Sequence, residues 1–328
     1  MGRHRSPPAS SARSAPDRGV VVADRAPLSG SKVITIVGTG RCGSTLLHRL
    51  LARHDDVGWL STFNEVFPSQ PWLSVFSGLY RSPLPSRVRH AKAFPKPFEA
   101  YRFWEHYLPG FSRRDRPLTA DDVPEEGVQP VRSATARILR FQRKRRFLIK
   151  VTGWARIAYL DRVFPNGLFV SLRRDPRAVV SSWSKAGWLD VASPPDSEEW
   201  QWGAVPPGYY AAWRDLGGGP LLSVALKMRL DLDDIARNVE LVTGRSYELW
   251  YEDLVESPEE SLRGICEFAG LDWPPHFDRI VAGMRFHDFT GKWRRHLSEE
   301  EGDLVLEFLR RTDELPESPR SLVTAVTP

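Results

Sequence analysis

The sequence predicts an α/β domain in which helices flank a central parallel sheet. Short runs of apolar and β-branched residues recur along the chain, as expected for strands that are buried on both faces. Segments with apolar residues at helical spacing lie between these runs. Because strands that alternate with helices form parallel sheets, this order predicts a single domain of that class.

The first predicted unit is a strand, a glycine-rich turn and a helix. The run VITIV, which begins at Val33, predicts a buried strand. The segment STLLHRLLARH then places Leu46, Leu47, Leu50 and Leu51 on one helical face. This is the usual opening of a parallel α/β unit.

The middle of the chain gives a different pattern. From about Asn64 to Glu126 it is dense in Pro and aromatic residues without a sustained period, which predicts short helices and loops. After it, RFLIKVT predicts the second strand, ARIAYLDRVFP a helix ended by Pro165, and GLFVSL the third strand. The segment PRAVVSSWSKAG then predicts a helix with Pro in its first turn.

Three more elements complete the predicted domain. The segment LLSVALKMRLDLDDIARNVELV predicts the longest amphipathic helix, and SYELWYEDL predicts another strand. The segment SPEESLRGICEFAGL predicts a helix with Ser257 as N-cap, Pro258 at the first position and Glu260 three residues after the cap. Gly217 to Pro220 is interpreted as a loop within the domain.

Composition sets the domain limits. Residues 1–31, rich in Pro, Ser and Arg, predict a disordered basic tail, residues 32–315 the domain, and residues 316–328 a flexible tail. Residues 1–30 hold five Arg and two Asp, so they carry +3 of the net charge of +5 and leave only +2 for the rest. That balance argues against a nucleic-acid-binding protein, which needs a broad basic face.

Cysteine usage and hydropathy predict a cytoplasmic protein. Cys42 and Cys266 are the only cysteines, too few for a disulfide framework or a four-ligand zinc site. No apolar run approaches the roughly 18 to 20 residues that span a bilayer, and the first residues lack the apolar core of a secretion signal.

Residues 38–45 (GTGRCGST) have the frame of a phosphate-binding P-loop, with two Gly five positions apart between a strand and a helix. Such a turn lets backbone N–H groups surround an anion at the positive end of the helix. Nucleoside triphosphatases carry Lys directly after the second Gly, where this chain has Ser44; its cation is Arg41. The turn therefore suits a single 5′-phosphate, with the guanidinium over the bridging oxygen of a departing nucleoside phosphate.

A second candidate anion site follows the third strand. The segment GLFVSLRRDPRAVVSSW places Arg174 at the carboxyl end of that strand, where ligands bind in open α/β sheets. Ser182, eight residues further on, lies in the next helix, where it can face the guanidinium after the turn at Asp175-Pro176. Both groups would then donate to one anion. A simpler interpretation is an Arg174 that only pairs with Asp175.

A late basic and aromatic loop gives a third candidate element. The segment FTGKWRRHLSEEE combines Gly291 with Trp293, Arg294 and Arg295. Trp293 could cover a purine while Arg294 or Arg295 holds a phosphate. The alternative is a solvated flank of the last helix.

These three segments together resemble the sulfotransferases that use 3′-phosphoadenosine 5′-phosphosulfate (PAPS). The resemblance is to the bacterial branch whose phosphosulfate loop reads Arg-x-Gly-Ser/Thr-Thr, matched here by residues 41–45 (RCGST). The family's Arg, Asp-Pro and Ser motif is matched by Arg174, Asp175-Pro176 and Ser182, and its Gly-x-Trp-Arg loop by residues 291–294. The likeness spans roughly residues 33 to 298.

The resemblance implies a P-loop-like three-layer α/β/α fold, PAPS as donor and 3′,5′-diphosphoadenosine (PAP) as product, without a metal. In that scheme the loop holds the 5′-phosphosulfate, and a second group holds the 3′-phosphate and the adenosine. The loop residues are Gly40, Arg41, Cys42, Gly43, Ser44 and Thr45, and the second group is Arg174, Ser182, Trp293 and Arg294. Cys42 departs from the commoner Ser, although its backbone N–H is retained.

Sulfonyl transfer needs an in-line acceptor, a group that stabilises the departing phosphate and a general base. Arg41 is the predicted stabilising group, and Glu65 the predicted base, with a pKa raised by burial among Phe63, Val66 and Phe67. The sequence is equally consistent with Glu65 as an exposed loop carboxylate without a catalytic role. The weaker base candidates are His54 and His106, and His48 is predicted to be structural.

Three further features have open interpretations. Lys150, near the end of the second strand, either contacts the sulfonyl group or acceptor or forms a strand-end salt bridge. The basic run 137–146 predicts a solvated helix face. Trp residues predicted to line an acceptor pocket, or else to build core and lid, are Trp183, Trp188, Trp200, Trp202 and Trp213.

The sequence by itself leaves two other functions open. A P-loop kinase for a small molecule fits the glycine frame but not Ser44, and a non-catalytic nucleotide- or glycan-binding module would not need Arg41 at the leaving oxygen. The acceptor is not identified, and small-molecule, lipid and carbohydrate acceptors all stay possible.

Overall fold

Five parallel strands form one sheet in the computed structural model, which describes residues 33–82, 87–88, 91, 94–187, 200–284 and 291–319. The sheet order is β2-β3-β1-β4-β5, and every pairing is parallel. The strands are Val33–Gly38 (β1), Val57–Trp59 (β2), Arg146–Thr152 (β3), Leu168–Arg173 (β4) and Ser246–Trp250 (β5). The predicted disordered tail 1–31 and residues 320–328 lie outside the described residues.

Helices connect and cover these strands. The helices up to β4 are Ser44–Leu51 (α1), Thr62–Val66 (α2), Tyr101–Tyr107 (α3), Glu125–Gln142 (α4) and Ile157–Val163 (α5), with 3-10 helices at Pro71–Arg81 and Ala120–Asp122. The later ones are Pro176–Lys185 (α6), Pro207–Asp215 (α7), Gly219–Leu241 (α8), Tyr251–Glu256 (α9), Pro258–Ala269 (α10), Pro275–Ala282 (α11) and Glu299–Asp313 (α12), with a 3-10 helix at Lys292–Arg295.

The sheet separates two hydrophobic cores, so the domain has three layers. Ile34 and Ile36 of β1 face one core, which α1, α10 and α11 complete. Phe147, Ile149 and Val151 of β3 face the other core, which α3, α4 and α5 complete. Because successive side chains of a strand point to opposite faces, covering both faces makes each strand apolar throughout. The predicted α/β/α class with a central parallel sheet is confirmed.

Most predicted elements are confirmed, and three details were missed or wrong. The strand β2 was missed because it has only three residues, too few for a periodicity to be recognised. The segment predicted as one strand from Ser246 ends at Trp250, where α9 begins. Ser257 does precede α10 with Pro258 at its first position, but its side chain makes no capping hydrogen bond.

The first half of the longest helix, α8, is buried on all sides, so this half is not amphipathic. Ten consecutive residues, 222–231, are buried. Its charged side chains pair four residues apart: Lys227 with Asp231, and Arg229 with Asp233, whose N and O atoms are 2.7 Å apart. Since buried charges are tolerated only when paired, these ion pairs explain how a charged sequence lies inside the domain. No helix in the described ranges is long and apolar enough to cross a bilayer.

Candidate active site

The turn between β1 and α1 is built to receive an anion. Gly43, the N-cap of α1, has φ +97°, and no side chain caps the helix. The N–H groups of a first helical turn lack intrahelical partners, so an uncapped end attracts anions. Arg41 has φ +69°, a left-handed conformation that is unusual for a side chain other than Gly and is found at ligand-binding turns.

Gly43 is required at its position for steric reasons as well. A Cβ there would lie 2.2 Å from Cδ2 of Tyr251. We expect Gly43→Ala to lower the free energy of unfolding by about 2–4 kcal/mol, because strain and collision add. Urea denaturation measures this change.

Gly110 provides the matched control for that substitution. Its φ is +87°, but a Cβ there would meet nothing within 4 Å. Gly110→Ala should therefore cost only about 1 kcal/mol, from backbone strain alone. Equal losses for the two variants would contradict a steric role for Tyr251.

Three side chains predicted to bind anions meet beside this turn. Arg41 Nε donates to Ser182 Oγ at 2.9 Å, and Arg174 Nη1 donates to the Arg41 carbonyl oxygen at 3.0 Å. Arg174 also lies over the ring of Tyr251, with Cζ 4.4 Å from the centroid. In this arrangement Arg41, and not Arg174, contacts the Ser182 hydroxyl. Two cationic side chains and a hydroxyl therefore surround one region, which suits a ligand with several anionic oxygens.

The other loop residues occupy supporting positions. Cys42 is fully buried, and burial raises the pKa of its thiol, so the side chain packs as a neutral group. Its N–H donates to the Thr39 carbonyl at 3.3 Å, within the turn itself. Ser44 is buried at the start of α1, and Gly40 lies against the ring of Trp183.

Lys150 connects this turn to a carboxylate that sequence analysis did not select. Its Nζ donates to Thr45 Oγ1 at 2.9 Å and lies 3.0 Å from Glu99 Oε1. The Thr152 hydroxyl also donates to Glu99 Oε1 at 3.0 Å. Of the two interpretations left open for Lys150, the structure contains the salt bridge. Lys150 is mostly buried, and it links the turn between β1 and α1 to Glu99.

A cavity of about 340 Å³ adjoins the turn at Gly40. Aromatic rings and charged groups share its walls. The lining residues are Gly40, Glu99, Tyr101, Arg114, Thr152, Gly153, Trp154, Arg156, Trp183, Trp202, Lys227 and Asp231. Lys227 Nζ lies 4.6 Å from the ring of Trp154 and 5.5 Å from that of Trp202. Pockets of this size that are rich in aromatic residues are typical of small-molecule sites.

Two of the five tryptophans expected at an acceptor pocket line this cavity. Trp183 and Trp202 do so, whereas Trp213 packs in the core against Gly218. Trp200 is half-buried and does not line the cavity, and Trp188 lies outside the described residues. The third cavity tryptophan, Trp154, was not predicted.

Glu65 does not line the cavity. It lies on α2, where its Oε2 accepts the backbone N–H of Arg102 at 2.9 Å. The apolar enclosure predicted around it is wrong, because Val66 is 52% exposed and Phe67 is 47% exposed. Its role as base stays a prediction.

Of the histidines considered as base or structural residues, His48 and His54 are buried. His54 is buried; its Nδ1 accepts the Asp56 N–H, so Nε2 donates to the Asp272 carbonyl. Burial lowers the pKa of His54 and holds that of His48 well below its usual value, so both rings are neutral. His106 is exposed on α3, beside Tyr107.

The aromatic ring of the late basic and aromatic loop is buried and does not face the solvent. Trp293 is 2% exposed, beneath Arg177, whose Cζ lies 4.7 Å from the ring centroid. Arg294 forms a salt bridge with Glu299, Nε to Oε1 at 2.5 Å. The predicted contacts of Trp293 with the adenosine and of Arg294 with the 3′-phosphate stay predictions. The packing of the two side chains does not favour these contacts. In the basic run, Arg137 and Arg140 are exposed on α4, so the predicted solvated face is confirmed there.

Glu99 and Trp154 are the residues that sequence reasoning missed. Glu99 lies in the irregular stretch FPKPFEAY, which has no period that would place it near a strand end. Trp154 follows β3 within three residues, and that position was a usable signal, since strand ends carry ligand sites.

A parallel α/β domain whose first strand and helix are joined by an uncapped glycine turn has a P-loop-like fold. The model of the sulfotransferase family matches residues 34–275. The chain therefore belongs to the sulfotransferase family and is an enzyme. No curated protein matches it by sequence.

The chain is also similar to solved sulfotransferase structures, at low identity and with TM-scores below 0.5. The sulfotransferase domain from the curacin biosynthetic pathway is 16% identical over 86% of this chain and 96% of that one, with a TM-score of 0.45. STF9 from Mycobacterium avium is 15% identical over 88% of this chain and 78% of that one, with a TM-score of 0.49. Mouse SULT7A1, solved in complex with PAP, is 11% identical over 87% of this chain and 86% of that one, with a TM-score of 0.38.

Proposed function

We propose that this enzyme transfers the sulfonyl group of PAPS to a hydroxyl of a small-molecule, lipid or carbohydrate acceptor and releases PAP. The observation that carries the proposal is the meeting of Arg41, Arg174 and Ser182 at the uncapped turn, in a chain of the sulfotransferase family. A reducing cytoplasm remains the predicted location, and Cys42 and Cys266 are both buried free thiols.

The donor would be held by the turn and the residues beside it. Backbone N–H groups at the start of α1 and the side chains of Ser44 and Thr45 would bind the 5′-phosphosulfate. Arg174 and Ser182 would bind the 3′-phosphate. Arg41 would stabilise the charge that grows on the bridging oxygen as the sulfur–oxygen bond breaks.

The cavity beside Gly40 would hold the acceptor. It shares Gly40 with the donor turn, so a hydroxyl bound there would lie next to the sulfonyl group. Its rings would hold the body of the acceptor and exclude water, which favours in-line attack by that hydroxyl over hydrolysis.

A base must take the proton of the acceptor hydroxyl. Glu65 is the carboxylate predicted from the sequence, and Glu99 is the one that lines the cavity. The geometry favours Glu99, because Lys150 and Thr152 hold its Oε1 next to the turn while its side chain stays 23% exposed. The acceptor oxygen would then attack sulfur as Glu99 accepts its proton.

Ligand-induced stabilisation tests the donor. We expect PAP to raise the Tm of the protein, and ATP with Mg²⁺ to leave it nearly unchanged, because Ser44 stands where a kinase needs Lys. Differential scanning fluorimetry at saturating ligand measures both shifts. Arg174→Ala should reduce the PAP shift. Stabilisation by ATP with Mg²⁺ and none by PAP would favour a kinase instead.

A further inference from the structure

The 3-10 helix Pro71–Arg81 carries its apolar side chains on the outside of the molecule. Trp72, Val75, Phe76 and Leu79 are between 42% and 53% exposed. In a 3-10 helix, residues three apart are aligned, so these four form two neighbouring rows. The helix therefore presents aromatic and aliphatic groups to the solvent.

The inner side of the same helix carries one large core side chain, Tyr80, whose ring lies edge-on to Trp59. The other buried residues are Pro71, Ser74 and Ser77. Asn64 Nδ2 donates to Ser74 Oγ at 3.2 Å, and Gln142 Nε2 donates to Ser77 Oγ at 3.2 Å. The helix therefore exposes four large apolar side chains and buries only one, Tyr80, and this excess indicates a surface that contacts something else.

Neighbouring elements extend this exposed side. Val66 and Phe67, at the end of α2, are about half exposed, and Phe63 packs its ring edge against Phe76, with centroids 6.1 Å apart. Phe98, also exposed, lies on the adjoining segment, where its N–H donates to the Leu60 carbonyl at 2.9 Å. We call Val66, Phe67, Trp72, Val75, Phe76 and Leu79 the outer apolar surface.

The stretch between Glu65 and Glu99, which contains most of this region, is rich in basic residues. Residues 66–98 contain no Asp or Glu, although the chain as a whole has 41 of them. The basic residues of the stretch are Arg81, Arg87, Arg89, Lys92 and Lys96, with His90 between them. Arg87 is exposed next to the exposed Val88. Arg81 points inward and donates to backbone carbonyls of residues 52, 54 and 57, and Glu65 lies next to Val66 on α2. The sequence around the surface therefore has an excess of cations and not cations alone. An apolar surface with a net positive flank is complementary to a surface that is both apolar and negatively charged.

We propose that the outer apolar surface docks on a membrane that contains anionic lipids. Trp and Phe side chains would enter the headgroup region, and the Arg and Lys residues would be attracted by the lipid charge. An excess of cations beside the surface favours an anionic bilayer over a protein interface, which usually has a mixed polar rim. This inference does not depend on the proposed function.

Sedimentation of the full chain with lipid vesicles tests the proposal. We expect the protein to pellet with vesicles of mixed phosphatidylglycerol and phosphatidylcholine and far less with phosphatidylcholine alone. Trp72→Ser/Phe76→Ser should weaken binding by about tenfold or more, since both rings would lose their burial in lipid. Arg87→Glu should weaken it severalfold at low salt.

A matched control removes an exposed apolar residue elsewhere. Leu241, at the end of α8, is 67% exposed, and Leu241→Ser should bind vesicles like the unaltered protein. All variants should keep their Tm, because the substituted side chains are exposed. Absence of binding to the anionic vesicles, or equal binding by the double variant, would overturn the proposal. A dimer that the double variant dissociates, without vesicle binding, would instead show that a second copy covers this surface.

Discussion

Arg41→Ala is expected to lower the turnover of sulfonyl transfer by about 10³-fold, because charge that develops on a departing phosphate loses its nearest cation. The fold should survive, since the side chain is exposed and the Arg174 contact uses the Arg41 carbonyl, which alanine keeps. PAP affinity should fall much less than turnover, because the guanidinium would act mainly on the transition state.

Steady-state kinetics with labelled PAPS, beside calorimetric titration with PAP, separates these two effects. Arg137→Ala is the control, since Arg137 is an exposed arginine of α4 that lines neither the turn nor the cavity. It should leave both quantities unchanged. Near-normal turnover of Arg41→Ala would remove Arg41 from the mechanism, even if the donor is still bound.

Local patterns in the sequence predicted the strand, the glycine turn and the helix that follows it, and the structure contains all three. The apolar run at Val33 and the glycine frame that follows it indicate a strand and an anion-binding turn from adjacent residues alone. The spacing of Arg174 and Ser182 across a strand end and a helix predicted that the two side chains would face each other. In the structure both lie beside Arg41 of the turn, and it is Arg41 that contacts the Ser182 hydroxyl, a contact across 141 residues that the spacing did not predict.

The acceptor side depends on contacts between distant segments, which no local pattern indicates. Glu99 meets Lys150 across about fifty residues of chain, and Lys227 comes from the middle of α8. The sequence predicted an amphipathic helix here, whereas pairing lets Lys227 and Asp231 of α8 lie inside the protein. Trp293 was assigned to the ligand because aromatic and basic residues alternate there, yet packing against Gly302 buries it.

The identity of the base is decided by a pair of substitutions that remove a charge and keep the shape. We expect Glu99→Gln to lower turnover by about 10²-fold to 10³-fold, because the amide cannot accept the acceptor's proton. Glu65→Gln should have little effect, since Glu65 lies outside the cavity and holds the Arg102 N–H. An amide oxygen at residue 99 can still accept the Thr152 hydroxyl, so the local position of the side chain should be retained.

Glu99→Gln also breaks the salt bridge to Lys150, so a structural effect must be separated from the loss of a base. Lys150→Met removes the same ion pair and keeps the carboxylate. If Glu99 is the base, Lys150→Met retains the limb of the pH–rate profile on which turnover rises with pH, and Glu99→Gln loses it. Equal profiles for the two variants would make Glu99 a positioning residue. A large loss confined to Glu65→Gln would restore Glu65 as the base, which would require the acceptor hydroxyl to reach α2 from the cavity.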